Sequence, residues 1–182
     1  MAKIAIFLAD GFEEVEAFAP VDILRRGGME VSMVSIMGRK TVNGSHGINT
    51  EADLLLEELD FAGMDMLILP GGKQGTENLR SCTLLHEKLR EFDAAGKYIA
   101  AICAAPTVFG KLGLLKGKKA TCYGGMEAML EGAEALTDPV VVDGHIITSR
   151  GMGTSIAFGL KLLELFTDAA TAENMAKAVM VP

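Results

Sequence analysis

The segment YIAAICAAPTVFG at residues 98–110 places a short apolar run directly before a helical pattern, with Cys103 at the junction. Residues 98–102 predict a buried strand, because they are apolar and include β-branched side chains. Residues 104–112 predict a helix, and Pro106 suits its first turn. A cysteine on such a turn is either packed inertly in the core or projected outward as a nucleophile.

Apolar runs that predict buried strands recur on both sides of this segment and alternate with helical patterns. The predicted strands lie at residues 3–9, 30–38 and 64–72, and the predicted helices at 13–26, 76–97, 154–166 and 171–180. Strands that alternate with helices of this length indicate an α/β fold, with a mostly parallel sheet between helices on both faces. We expect one three-layer domain that spans residues 1–182.

Two local signals refine this fold. Pro20 lies inside the helix predicted at residues 13–26, where a proline is expected to kink or split a helix. VVVDGHIITS at residues 140–149 predicts a β-hairpin, because Asp143-Gly144 between two β-branched runs is typical of a type I′ turn.

The composition narrows the classes of function. With 17 Lys and Arg against 24 Asp and Glu, the net charge of the 182 residues is −7, and the basic residues form no stripe for a nucleic acid. The longest apolar runs are too short to cross a membrane, and the first residues lack a signal-peptide cleavage site. Three cysteines without CxxC spacing favour a reducing, cytoplasmic location and argue against a zinc site.

Two chain segments are expected to meet Cys103 at the carboxyl edge of the sheet, where ligands bind in such folds. PGGKQG at residues 70–75 follows a predicted strand, and its glycines let backbone N–H groups approach a developing anion. The N–H groups of Gly72 and Ala104 would then form an oxyanion hole, with Gly71 beside them in the pocket. An ordinary turn is the alternative, and a phosphate loop is not supported because the Walker spacing is missing.

Glu16 lies on an apolar stripe of the first predicted helix, whereas Glu13 and Glu14 point off that stripe. The stripe consists of Phe12, Val15, Glu16, Ala19 and Ile23. A buried carboxyl would have a raised pKa, so that it could donate a hydrogen bond to a thiolate or accept a proton. The alternative is a glutamate at the edge of the stripe that reaches water.

Four motifs together resemble the ThiJ/PfpI superfamily, which has the class I glutamine amidotransferase-like, flavodoxin-like fold. They are GFEEVE…PVDILRRGG at 11–28, LPGG…G..NL at 69–79, AAICAAP at 100–106 and TSRGMGTS at 148–155. Their order runs nearly the length of the chain and is most similar to the branch of the Parkinson disease-associated protein deglycase.

The resemblance implies a role for particular residues. Cys103 would be the reactive cysteine and Glu16 its hydrogen-bonding carboxylate, with backbone donors from Gly72 and Ala104. Two arginines would lie near the pocket and the dimer surface, namely Arg26 and Arg150. The resemblance also implies a homodimer that needs no metal or organic cofactor.

The sequence departs from the superfamily at one position. Where many members carry a histidine after the nucleophile helix, this chain has Tyr123, which would either donate a hydrogen bond to a bound carbonyl or simply pack. A peptidase is therefore disfavoured, because a Cys–His pair needs a base within hydrogen-bonding distance. His46 falls where close relatives often have an arginine at the active-site rim, and a surface position is its alternative. His86 and His145 are expected at the surface.

Three functions remain compatible with these residues. The first is an enzyme that acts on reactive carbonyls or glycated adducts, by glyoxalase or deglycase chemistry at Cys103. The second is a redox sensor or chaperone that uses the same cysteine, and the third is a small-molecule binder without turnover. Cys82 and Cys122 are expected to be structural.

Overall fold

The computed structural model describes residues 1–181, in which strands and helices alternate along the chain. The strands are β1 Lys3–Leu8, β2 Glu30–Ser35, β3 Thr41–Asn43, β4 Asn49–Glu51, β5 Leu54–Leu55, β6 Met66–Leu69, β7 Tyr98–Ile102, β8 Lys119–Ala120, β9 Glu134–Ala135, β10 Val140–Asp143 and β11 Ile146–Ser149. The α-helices are α1 Glu14–Arg26, α2 Lys73–Ser81, α3 Thr83–Ala94, α4 Pro106–Lys111, α5 Ser155–Phe166 and α6 Ala169–Ala178. Short 3₁₀ turns lie at Leu56–Glu58, Phe61–Gly63, Glu127–Met129 and Met152–Thr154.

The main sheet is almost entirely parallel. Within residues 1–181 its strand order is β10-β11-β7-β6-β1-β2-β5, and only β10 runs antiparallel to its neighbour. Two small pairs, β3-β4 and β8-β9, lie beside it. The mostly parallel sheet predicted from the alternating pattern is confirmed.

Successive side chains of the central strands point to opposite faces of the sheet and enter two apolar cores. In β1, Ile4 and Ile6 join the core under α1 and α5, whereas Ala5 and Phe7 join the core under α3 and α4. Both faces of the inner strands are therefore buried, which explains why their sequences are uninterrupted apolar runs. Helices on both faces of the sheet are confirmed.

The helices differ from the prediction at two points: α1 is not split at Pro20, and one predicted helix is divided into two. The helix α1 continues unbroken through Pro20, which is buried against α5. Gly159 permits this approach, because a Cβ there would lie 3.0 Å from the Pro20 Cα. The helix predicted at residues 76–97 is divided into α2 and α3 at Cys82, whose extended backbone (φ −87°, ψ 96°) ends one helix and begins the next.

The hairpin between β10 and β11 is confirmed, but its turn lies one residue later than predicted. The register pairs Asp143 with Ile146, so the turn residues are Gly144 and His145. Among the non-glycine residues of the described chain, only Cys103 and Met180 have positive φ, so His145 does not adopt the second left-handed position of a type I′ turn.

The parallel strands bring four chain segments to one edge of the sheet. The strands β1, β6, β7 and β11 all end there, and the residues that follow them form the loops described below. None of the helices in the described part of the chain has the length and apolar character that a bilayer crossing requires.

Candidate active site

Cys103 lies on a sharp turn between β7 and α4, and its backbone has a positive φ of 66°. This region is sterically unfavourable for a residue with a Cβ, so the surrounding structure must hold it in place. The Cys103 N–H donates to the Ser149 carbonyl (3.0 Å), and its carbonyl accepts from the Tyr123 N–H (2.8 Å). The thiol is half-buried, not sealed in the core. This geometry is that of a nucleophile elbow.

Glu16 approaches the thiol from the first turn of α1. Its side chain is buried, with Glu16 only 1% exposed, and its Oε2 accepts a hydrogen bond from the Gly71 N–H (3.0 Å). The Glu13 carboxylate caps the helix by accepting from the Glu16 N–H (2.7 Å). The carboxyl also shares a hydrogen bond with Cys103 and accepts one from the Met152 N–H. The prediction that Glu16 is buried on an apolar helix face is confirmed.

The apolar face predicted for the first helix is only partly correct. Phe12 and Ile23 are buried as expected, but Val15 is 44% exposed. Glu14, predicted to point away from the apolar face, is itself buried. Its carboxylate turns towards the loop between β3 and β4, where hydrogen bonds compensate the loss of water.

Two consecutive glycines after β6 make the close approach of Glu16 and Cys103 possible. A Cβ on Gly71 would lie 2.4 Å from the Glu16 Oε2 and 2.6 Å from the Cys103 Cβ. Gly72 has a φ of 88°, and a Cβ there would lie 2.3 Å from the Gly11 carbonyl oxygen. The N–H groups of Gly72 and Ala104 both donate to the Cys103 sulfur. The two backbone donors predicted from PGGKQG and AAICAAP therefore converge on the thiol.

Burial raises the pKa of the Glu16 carboxyl to about 7, although the hydrogen bond with Cys103 lowers it. Burial and the negative charge of Glu16 raise the pKa of the Cys103 thiol to about 12, against the lowering by the two amides. The two amides and the start of α4 therefore do not by themselves lower the pKa of this thiol below its ordinary value. The pair instead loses its first proton near neutrality and shares one negative charge above it.

An open cavity of about 480 Å³ lies over Cys103. It is lined by Lys73, Thr76, Glu77, Cys103, Ala104, Tyr123, Met126 and Met129. Tyr123 is 55% exposed and stands at the rim, as the pocket prediction required. Within residues 1–181, this cavity is lined without a histidine.

A polar network behind the cavity fixes the turn after Cys103. The buried Thr107 hydroxyl donates to the Ala104 carbonyl (2.6 Å) and accepts from the Arg80 Nη2 (2.6 Å). The Arg80 Nη1 donates to the Glu77 carboxylate (2.6 Å) on the cavity wall. Because this network restrains the carbonyl of Ala104, it also restrains the peptide that precedes the α4 helix.

The two arginines predicted near the pocket lie in different places relative to the cavity. Arg150 lies beside Tyr123 along a shallower groove, and its guanidinium is 4.0 Å from Glu127. Arg26 is exposed, pairs with Asp22, and lies ten residues after Glu16 along α1, or about 15 Å at the rise of an α-helix. The prediction that Arg26 borders the pocket is wrong, because the helix carries it away.

His46 does not line the cavity either, so its pocket prediction is also wrong. Its Nδ1 lies 2.9 Å from the Glu14 carboxylate, and its backbone N–H donates to the same group (2.7 Å). Potential ligand atoms of Glu13, Glu14 and His46 lie within 4.8 Å of one another and form the one group in residues 1–181 with metal-ligand chemistry and spacing. Three hydrogen bonds from Ser45 and His46 already engage the Glu14 oxygens.

The other two cysteines do not line the cavity over Cys103. Cys122 is fully buried in the core under α3 and α4. Cys82 is half-buried against the same core. Burial raises the pKa of both thiols.

The sequence profile of the DJ-1/PfpI family matches residues 2–165 of this chain, and this match decides the family. The chain belongs to the DJ-1/PfpI family. It is 43% identical over 164 residues to Protein DJ-1 homolog B of Arabidopsis thaliana, a match that covers 89% of this chain but only 37% of that protein. The chain thus spans well under half the length of that plant relative.

Two other similar DJ-1 proteins match over nearly their whole length. Glutathione-independent glyoxalase DJ-1 of Schizosaccharomyces pombe is 34% identical over 174 residues, which cover 90% of this chain and 91% of that protein. The structure of oxidized DJ-1 from Toxoplasma gondii superposes with a TM-score of 0.95 at 34% identity, covering 99% of this chain and 98% of the other. The DJ-1/PfpI membership and the flavodoxin-like fold implied by the motifs are confirmed.

Some residues at the site were not found from the sequence. A Cβ on Gly151 would lie 3.8 Å from the Glu16 Oε1 and 4.0 Å from the Cys103 Sγ, so this glycine covers the pair. The motif TSRGMGTS contains Gly151 and Met152, and could have indicated both. Lys73, Met126 and Met129 line the cavity without any local signal, because their proximity to Cys103 depends on how separate loops fold together.

Proposed function

We propose that this DJ-1/PfpI chain is a cysteine-dependent stress-response enzyme that converts reactive 2-oxoaldehydes such as methylglyoxal into 2-hydroxy acids. One observation carries the proposal: the Cys103 thiol lies on a strained turn, hydrogen-bonded to a buried carboxyl whose pKa is about 7 and to two backbone amides. Nucleophile, proton carrier and oxyanion donors are thus in one place. The similarity to the glyoxalase DJ-1 of Schizosaccharomyces pombe supports this choice of substrate.

The proton that the pair retains near neutrality determines its reactive form. When Glu16 holds this proton, Cys103 is a thiolate stabilised by the N–H groups of Gly72 and Ala104. When Cys103 holds it, the N–H groups of Gly71 and Met152 stabilise the carboxylate instead. Reaction proceeds from the first form, which provides both a nucleophile and an adjacent acid.

The first bond joins the Cys103 sulfur to the aldehyde carbon. As the carbonyl oxygen becomes negative, the N–H groups of Gly72 and Ala104 stabilise it, and Glu16 gives it a proton. The product is a hemithioacetal and an ionised Glu16 carboxylate. The carboxylate is now the base required for the next step.

Glu16 then removes the proton from the former aldehyde carbon and returns it to the neighbouring ketone carbon, while the hydroxyl proton of the hemithioacetal moves to the ketone oxygen. The first carbon is thereby oxidised to a thioester and the second is reduced to an alcohol, so no external oxidant or reductant is required. Water adds to the thioester, the carbon–sulfur bond breaks, and the hydroxy acid leaves with the thiol regenerated. The balance is one dicarbonyl plus one water for each hydroxy acid.

The experiment is an assay for D-lactate and L-lactate formed from methylglyoxal by the purified chain. We expect turnover that is lost in Cys103→Ala and retained in Cys82→Ala, since Cys82 lies away from the cavity. Lactate formation no faster than with Cys103→Ala would overturn the proposal. Early glycation adducts form the second substrate class to test. In these adducts the aldehyde carbon of the 2-oxoaldehyde is bound to an amine.

A second candidate function is redox sensing at the same sulfur, with or without chaperone activity. It is favoured by the half-exposed position of Cys103, in contrast to the fully buried Cys122, and by the similarity to the structure of oxidized DJ-1. A sulfenate or sulfinate on Cys103 would accept hydrogen bonds from the same two amides. Peptide mass spectrometry after mild peroxide treatment should find Cys103 modified first, and equal modification of all three cysteines would exclude this role.

The resemblance to the family also suggests the setting in which the chain works. We propose a homodimer in the cytoplasm that requires no metal or organic cofactor, with a small carbonyl compound or glycated molecule as its substrate. Sedimentation equilibrium of the purified chain measures the oligomeric state. A strictly monomeric active chain would contradict this part of the proposal.

A further inference from the structure

The cavity over Cys103 is larger than a three-carbon dicarbonyl requires. Its volume of about 480 Å³ falls in the range of roughly 300–1,000 Å³ that holds drug-sized ligands. A molecule with the five heavy atoms of methylglyoxal would leave most of this space to water. The excess space therefore points to substrates that carry a larger group beside the reactive carbonyl.

One wall of the cavity is apolar. It is formed by Tyr123, Met126 and Met129, and the side chains of Tyr123 and Met129 are 55% and 40% exposed. Methionine side chains adapt to ligands of different shape, and exposed apolar side chains that line a concave site favour an apolar ligand surface. This wall therefore fits a hydrocarbon or aromatic substituent.

The part of the cavity lining that belongs to α2 presents a positive charge. Glu77 lies in this part of the lining, but its carboxylate is paired with Arg80, whose side chain is only 12% exposed. Lys73 lies in the first turn of α2, and its ammonium group has no ion-pair or hydrogen-bond partner among residues 1–181. The amino end of α2 adds a further partial positive charge. An anionic group on a ligand would therefore be attracted to this part of the lining.

We propose that the preferred substrates are 2-oxoaldehydes that carry an apolar substituent bearing a carboxylate. The substituent packs against Met126 and Met129, and Lys73 pairs with the carboxylate, while Cys103 attacks the aldehyde. This inference rests on the proposed function and adds the part of the substrate that does not react. It makes Lys73 a specificity-determining residue rather than a catalytic one.

The test compares kcat/KM for methylglyoxal, phenylglyoxal and 4-carboxyphenylglyoxal. In the wild-type chain we expect phenylglyoxal to exceed methylglyoxal by about tenfold, the effect of filling an apolar pocket. The carboxylate should add about three- to fivefold, a gain that decreases as salt increases because the pair is exposed. Lys73→Met should abolish the gain from the carboxylate. The matched control is Lys116→Met, since Lys116 is also exposed but lies outside this cavity.

The outcomes separate the inference from the proposed function. Equal kcat/KM for all three substrates, with turnover that depends on Cys103, would overturn the inference alone. A gain from the carboxylate that survives Lys73→Met, or that Lys116→Met abolishes equally, would also overturn the role of Lys73. No turnover of any of the three substrates would overturn the proposed function and this inference together.

Discussion

Two buried glutamates on the first turn of α1 have opposite acidities although they are two residues apart. Burial alone would raise the pKa of both carboxyls. For Glu14, hydrogen bonds from His46 and Ser45 outweigh burial and lower the pKa to about 2. For Glu16, burial prevails and the pKa is raised to about 7. Glu16 is the more deeply desolvated of the two and Glu14 accepts more hydrogen bonds, and both differences separate the two pKa values.

The difference shows how one helix serves both structure and chemistry. The loop between β3 and β4 folds over Glu14 and satisfies its oxygens, so Glu14 is a fixed anion that holds this loop. Glu16 faces a thiol that is itself reluctant to ionise, so the two share a proton. Such perturbed acidities are typical of functional sites. Replacing each of the two glutamates by glutamine, which removes its charge, can therefore test this comparison.

The largest expected effect is on turnover in Glu16→Gln. The variant keeps the size of the side chain but can neither donate a proton to the oxyanion nor abstract one from carbon. We expect kcat/KM for methylglyoxal to fall by about 10²–10⁴-fold, the usual contribution of a general acid–base group. Steady-state kinetics measure this loss.

The matched control for this substitution is Glu14→Gln, which changes a buried glutamate on the same helix turn outside the cavity. Its kcat/KM should remain within a few fold of the wild-type value. If both variants lose activity equally, the loss reflects damage to α1, and the distinction between the two glutamates fails.

The next effect concerns the space between Glu16 and Cys103. In Gly71→Ala the new methyl group would lie 2.4 Å from the Glu16 Oε2 and 3.1 Å from the Cys103 Sγ. The pair must separate, and a displacement of about 1 Å in a reacting group can cost about 10²-fold in rate. Kinetics should show this loss in kcat.

Gly153→Ala is the control for Gly71→Ala. A Cβ on Gly153 meets nothing within 4 Å, and its φ lies outside the left-handed region, so the methyl group adds no strain. Its kcat should match the wild type. Full activity of Gly71→Ala would show that the pair need not remain in contact.

The third effect is on the pH dependence of stability. Because the folded state raises the pKa of Glu16 from 4.5 to about 7, it binds more protons than the unfolded state in this window. The free energy of unfolding therefore falls as pH rises from 4.5 to 7, by about 3 kcal/mol at 1.36 kcal/mol per pKa unit. Glu16→Gln should lack this fall and be the more stable protein above neutrality.

Glu14→Gln should show the opposite dependence. The lowered pKa of Glu14 stabilises the fold above pH 4.5, and this stabilisation disappears as pH falls towards 2. The variant should lose about 2 kcal/mol at neutral pH, because donors that faced a carboxylate then face an amide. Urea unfolding of both variants over a range of pH measures the two curves. Parallel curves would refute the assignment of different charges.

The sheet and its helices could be predicted from the sequence, because buried parallel strands require apolar runs such as residues 3–9 and 98–102. The points at which a helix ends or continues could not be predicted in the same way. The division at Cys82 and the continuity of α1 through Pro20 depend on packing, in the second case on the small size of Gly159. Helical periodicity contains no information about a neighbouring helix.

The thiol and the two glycines could be predicted because they follow strand ends. Cys103 directly follows β7, Gly71 and Gly72 follow β6 after Pro70, and parallel strands bring their ends together. Arg26 and Glu14 were misplaced because motif matching and helical periodicity say nothing about what a side chain meets. Glu14 is buried only because a distant loop supplies its hydrogen bonds.

The smallest expected effect sharpens the role of that loop. In His46→Ala, Glu14 loses the imidazole but keeps the hydrogen bond from the residue's own backbone N–H and the one from Ser45. The pKa of His46 is raised by its hydrogen bond to Glu14, so the charged pair contributes most below the ordinary pKa of histidine and is lost as pH rises through the raised value. Thermal unfolding should show a decrease in Tm smaller than that of Glu14→Gln and larger at acidic than at alkaline pH. Activity towards methylglyoxal should not change, because His46 lies outside the cavity; a lowered kcat would instead connect the Glu14 loop to the chemistry at Cys103.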